Sequence, residues 1–204
     1  DYGKIAYYGN KKELPWTNDK YRKLVKSAQV KVSGMTATQD LFNGCENLES
    51  VDLGGFDASR VTNATGMFAG CSSLKNVDLQ CFKKARLQYM GAGRIGFDPD
   101  GRGMFAGCSS LTEIDVSCFN MSEAKDIGGL FYQCTGLKEL SLNDFQTKTV
   151  TWMTELFAGC SGLEELDVSG LDTRNVRGMN GMFAGCRRLQ KLVVSGLEPR
   201  DVAD

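Results

Sequence analysis

The chain has 204 residues, 42% of them hydrophobic, enough to bury a core and too apolar for a disordered segment. Lys and Arg number 24 against 25 Asp and Glu, a balance that excludes the phosphate-tracking basic surface of a nucleic-acid binder. No apolar run approaches the roughly 20 residues of a membrane helix, and no apolar leader core stands at the N-terminus. A chain that opens on Asp1 reads as a processed or excised piece of a longer product.

The segment 1–34 carries eight basic and three acidic side chains and forms a basic head on a mildly acidic body. Within "WTNDKYRKLVKSAQ", Thr17 and Asp19 give a turn and cap signal, and Tyr21, Leu24, Val25 and Ala28 follow at helical spacing. "VKV" after them reads as the first strand. The head is expected to cap one end of the array that follows, with Lys20, Arg22, Lys23 and Lys26 as a docking patch.

From residue 35 onward the chain repeats itself. "MFAGC" and its variants place Cys45, Cys71, Cys108, Cys134, Cys160 and Cys186 in one register, at successive intervals of 26, 37, 26, 26 and 26. Three places after each cysteine stands Leu48, Leu74, Leu111, Leu137, Leu163 or Leu189. Six places after stands Val51, Val77, Ile114, Leu140, Leu166 or Leu192. Position eight is again aliphatic, and position eleven is Phe56, Phe82, Phe119, Phe145, Leu171 or Leu197. A mostly polar residue between two aliphatic ones is the period of a short strand with one buried face. One such strand per unit is unstable alone, so stacked copies are expected to pair in parallel and bury a continuous core. The later half of each unit, typified by "DTRNVRGMNGMFAG", reads as a turn and a short helical or irregular return segment. The expected fold is therefore an α/β repeat solenoid of about six units over residues 35–204.

The pattern is clearest in "CSGLEELDVSGLDTRNVRGMNGMFAGC", residues 160–186, and it resembles the BspA-like family of leucine-rich repeat proteins. The resemblance implies a leucine-rich-repeat solenoid of a surface-exposed or secreted protein that acts in adhesion or protein binding, without known catalysis.

The interval of 37 is the template plus an eleven-residue insertion, placed within residues 88–103. Inside it lies "GAGRIG", Gly91 to Gly96, which matches the glycine fingerprint of dinucleotide-binding folds. "FDPDGRG" follows, and it would stop the helix whose N-terminus must hold a pyrophosphate, so the glycines are read as bends of a surface loop. Asp98, Asp100 and Gly101 resemble part of a calcium loop but lack its third acidic position and closing Glu, and a turn is the simpler reading. Tyr89, Arg94, Phe97 and Arg102 make this insertion a candidate docking loop.

The six registered cysteines are expected to stack as small buried residues. With no histidine anywhere, neither zinc nor a cysteine or serine nucleophile has its common partner. Cys81 and Cys118 share the tenth place in consecutive units, where stacking brings them within reach of a disulfide and so of an oxidising compartment. Asp52, Asp78, Asp115 and Asp167 form one acidic column, and Glu113, Glu139 and Glu165 form another, two places earlier. A regular sheet face supplies no cleft for catalysis, so no catalytic, cofactor or metal site is expected. Glu113, Asp115, Glu139, Glu165 and Asp167 are candidates for holding a basic partner, and Trp152, in a column otherwise filled by Asn63, Asp126 and Gly178, is either an interface anchor or a cover over the core. The favoured reading is a protein-binding or adhesion module, extracellular or on the cell surface. The alternative is a structural or linker subunit bridging components of a larger assembly, free or membrane-associated, in an organelle lumen.

Overall fold

The computed structural model describes residues 4–7, 19–92 and 103–198. Successive units lie in register along the chain, joined by backbone hydrogen bonds along two lines, the "MFAGC" segments and the segments just before them. On the first line each unit donates alternate amides to carbonyls of the next: Phe42 N–H to Met67 at 2.8 Å, Phe68 to Met104 at 2.8 Å, Phe105 to Leu130 at 3.1 Å, Phe131 to Leu156 at 3.1 Å and Phe157 to Met182 at 3.0 Å. The glycine before the cysteine is left-handed, as at Gly70 (φ 72°) and Gly107 (φ 74°), a region in which a Cβ is unfavourable. A second line of single parallel bridges runs Ala37, Asn63, Tyr89, Asp126, Trp152, Gly178.

The core follows the columns. Phe42, Phe68, Phe105, Phe131, Phe157 and Phe183 form a continuous stack with centroids 5.6–6.1 Å apart and planes within 3–11°. A second file, Phe56, Phe82 and Phe119, meets edge to face at 6.0–6.2 Å. Both arrangements keep the electron-rich faces from lying directly over one another. Each registered cysteine from Cys71 on points its thiol at the preceding unit: Cys71 to Phe42 O, Cys108 to Phe68 O, Cys134 to Phe105 O, Cys160 to Phe131 O and Cys186 to Phe157 O, all at 3.1–3.2 Å. A small weak donor is what this column requires, because the carbonyl it meets is buried.

Strands are sparser than the periodicity suggests. Strand β1 (Lys4–Tyr7), β2 (Ser27–Val30) and β3 (Ser50–Asp52) form one parallel sheet, and β4 (Glu165–Asp167) and β5 (Lys191–Val193) form another. The corresponding residues of the second, third and fourth units, 76–78, 113–115 and 139–141, form no strand.

The head departs most from its expected form. Helix α1 covers only Asp19–Arg22, and Ala28, assigned above to helical spacing, lies in β2. The strand prevails because it is paired on both sides: Lys4 is in register with Ser27, and Ser27 with Ser50, an equal step each time. Val25, Ala28 and Val30 occupy the places of Leu48, Val51 and Leu53 and are buried like them. From Thr36, whose carbonyl accepts Thr62 N–H at 2.9 Å, the step lengthens to that of the cysteine register. Part of the head thus belongs to the array, in a shorter period. Its expected basic patch is also partly engaged, since Lys23 pairs with Glu46 at 3.7 Å and the Arg22 side chain lies against Gly44.

Candidate functional site

The face formed by positions five to seven after each cysteine carries the acidic columns, and charge explains where it pairs and where it does not. Where strands form, the facing residues are Ser27 with Ser50, Gln29 with Asp52, and Glu165 with Lys191. Gln29 Nε2 donates to Asp52 at 2.6 Å, and Lys191 Nζ to Glu165 at 2.8 Å. Every boundary without strands sets two acids opposite each other: Asp52 with Asp78, Asp78 with Asp115, Glu113 with Glu139, and Glu139 with Glu165. Like charges directly opposite destabilise a ladder rung. The amides of residues 113–116 and 139–142 accordingly donate no hydrogen bond to backbone.

The face opens there. A groove of about 530 Å³ is floored by Val77 and Ile114, partly buried where Val51 and Leu166 are 8% and 3% exposed. Glu113, Asp115, Glu139 and Asp144 rim it, and among the described residues no Lys or Arg lines it. Asp115 accepts the Ser117 amide at 2.9 Å, and hydrogen bonding to Ser117 holds its carboxyl below the usual carboxylate range, so this acid keeps its charge well into mildly acidic solution. Across the next boundary a groove of about 840 Å³ contains Glu139, Glu164, Glu165 and Asp167, but with Lys138, Arg188 and Lys191. Arg188 pairs with Glu164 and Lys191 with Glu165.

The candidate acids therefore divide. Glu113 and Asp115 stand in the first groove, Glu165 and Asp167 in the mixed-charge one, and Glu139 lines both. Asp144 was not singled out from the sequence, although its place, the tenth, is the one that holds cysteine in two other units. Replacing Glu139→Lys turns two repulsive rungs, with Glu113 and Glu165, into attractive ones. It should stabilise the chain by roughly 1 kcal/mol, read as a higher urea midpoint; a lower midpoint would refute the charge explanation of the missing strands.

Trp152 lies in neither groove. It is half-buried, and its ring covers Gly178 of the next unit, where an added Cβ would come 2.6 Å from Cε3. Tyr89, assigned above to the insertion, belongs instead to the bridge ladder between Asn63 and Asp126 and is 37% exposed. Met104 N–H closes on Met90 O at 2.8 Å, so the insertion leaves and re-enters the stack between these residues. Gly91 is no surface bend: it is buried, and a Cβ there would meet Gly128 N at 2.2 Å. Arg94, Phe97, Arg102 and the Asp98–Gly101 turn lie outside the described residues.

Cys81 and Cys118 are free thiols with no bridge between them, and Cys118 Sγ instead meets Leu79 O at 3.3 Å. Among the described residues no cluster of Cys, Asp and Glu could hold a metal ion, and no helix is long and apolar enough to cross a membrane.

Two stretches, residues 17–92 and 100–198, match the family described as "Mycoplasma protein of unknown function, DUF285". The chain belongs to the DUF285 family. This family is related to the BspA-like surface repeat proteins. The break between the two DUF285 matches, residues 93–99, falls within the insertion, as the register of the cysteines requires. No curated protein matches the chain.

Proposed function

We propose that this chain is a non-catalytic protein-binding or adhesion module of the leucine-rich-repeat solenoid type, displayed at a cell surface or secreted, which takes a protein partner on its acid-rimmed face. The observation that carries this reading is the groove with a partly exposed apolar floor and a rim of Glu113, Asp115, Glu139 and Asp144, with no Lys or Arg among its described lining residues. A floor of Val77 and Ile114 supplies apolar contact, and the carboxylates select a basic partner surface and speed its approach. On the bridge-ladder side the Trp152 ring is folded onto Gly178.

The test compares capture by the immobilised chain and by a Glu113→Gln/Asp115→Asn/Glu139→Gln variant from an extract of the source organism. At least a tenfold loss of the captured partner is expected for the variant, with Glu46→Gln, an acid of the first unit that lines neither groove, unchanged. Equal capture by all three would overturn this reading, as would capture indifferent to raised salt.

A further inference from the structure

The eight cysteines are of two kinds. Six stand in the registered column, five of them with the thiol committed to a phenylalanine carbonyl. Cys81 and Cys118 stand outside it, in consecutive units at the same place. Cys118 Sγ is directed across the boundary to Leu79 O, 3.3 Å away and two residues before Cys81. The next residues, Phe82 and Phe119, meet with ring centroids 6.0 Å apart, so the two segments run side by side. Both sulfurs lie in the field of Asp78. Cys81 is half-buried, unlike the fully enclosed cysteines of the inner units. This is also a boundary that lacks strand pairing, where Asp78 opposes Asp115.

We propose that Cys81 and Cys118 form a cross-linking site, at which an oxidant of the glutathione-disulfide class creates a disulfide that staples the second unit to the third. This inference is independent of the groove. The Cys81 thiol loses its proton, and the thiolate attacks one sulfur of the small disulfide and expels the first glutathione thiolate. The Cys118 thiolate, its proton likewise released, then attacks the Cys81 sulfur of the mixed disulfide and expels the second. Two electrons pass from the protein thiols to the small disulfide, and the Cys118 sulfur exchanges the Leu79 carbonyl for Cys81. Burial pushes Cys81 up to about 12 and Cys118 up to about 11, so exchange in the folded chain at neutral pH is slow and the bond is best formed as the chain folds.

The full chain, reduced and unfolded, is refolded in mixed oxidised and reduced glutathione, then unfolded, alkylated and mapped by peptide mass. The expected product is one joined pair, Cys81 with Cys118, and alkylation at all six column cysteines. Its melting temperature should exceed that of the reduced chain by about 5 °C. Cys81→Ser and Cys118→Ser should each abolish both the joined pair and the shift. Three results would each overturn the proposal: glutathione retained on Cys81, thiols all free in a strongly oxidising buffer, or pairings that draw in the column cysteines.

Discussion

Phe131→Ala is expected to lower stability by roughly 3–5 kcal/mol, the range for removing a buried aromatic from a core that cannot collapse around it. The ring is fully buried and sandwiched between Phe105 at 6.1 Å and Phe157 at 5.9 Å, with planes within 8° of both. Its loss leaves a void in the middle of the stack and removes two ring contacts, each of which adds about 1 kcal/mol to the area term. The space cannot close, because the backbone here is held on both sides: the Phe131 amide donates to Leu156 O of the next unit, and the Leu130 carbonyl accepts the Phe105 amide of the preceding one. Phe183→Ala removes a half-buried ring with one stacked neighbour and should cost about half as much. Urea unfolding of the two variants beside the parent chain makes the comparison; equal losses would mean that the rings do not act as a continuous stack.

Gly103→Ala carries the second large effect. Adding one carbon there would bring it 1.9 Å from Gly129 O and 2.5 Å from the Leu130 Cα, all backbone of the next unit, which has no rotamer to yield. Relief requires the third unit to move off the fourth at the point where Phe105 and Gly107 donate to Leu130 and Tyr132. A loss of about 3 kcal/mol is expected, at the upper end for overpacking. Gly170→Ala is the control, since its new carbon would meet only Leu142 O at 3.8 Å and the backbone is not left-handed, so the change should be nearly neutral. A mild Gly103→Ala variant, as stable as Gly170→Ala, would show that the units at the insertion are not in close backbone contact.

The columns legible in the sequence are the ones that pack. Cysteine, phenylalanine and leucine recur at one fixed interval because each must meet its own kind, or a carbonyl, in the neighbouring unit, and that demand tolerates few substitutes. What stayed hidden depends on comparison between units. The head repeats with a shorter step, so a search at the interval of the cysteines misses Val25, Ala28 and Val30 as counterparts of Leu48, Val51 and Leu53. The interrupted sheet face is written in the acids themselves, but Asp78 meets Asp115 only when the units are aligned across the eleven-residue insertion. A single unit reads as an ordinary alternating strand, and only the stack sets Glu113 against Glu139. Gly91 was masked by a motif: the fingerprint drew attention to ligand chemistry, whereas the glycine is there to admit Gly128.

Hydrogen exchange on the isolated chain tests the central claim, an opened acidic face on a continuously paired stack. Amides of Phe105, Phe131 and Phe157, bonded from unit to unit, should exchange slowly, whereas those of Ile114, Asp115, Leu140 and Ser141 should exchange orders of magnitude faster. Protection of Ile114 and Leu140 equal to that of Phe131 would mean a closed, continuous sheet, and the groove with its proposed partner would go with it.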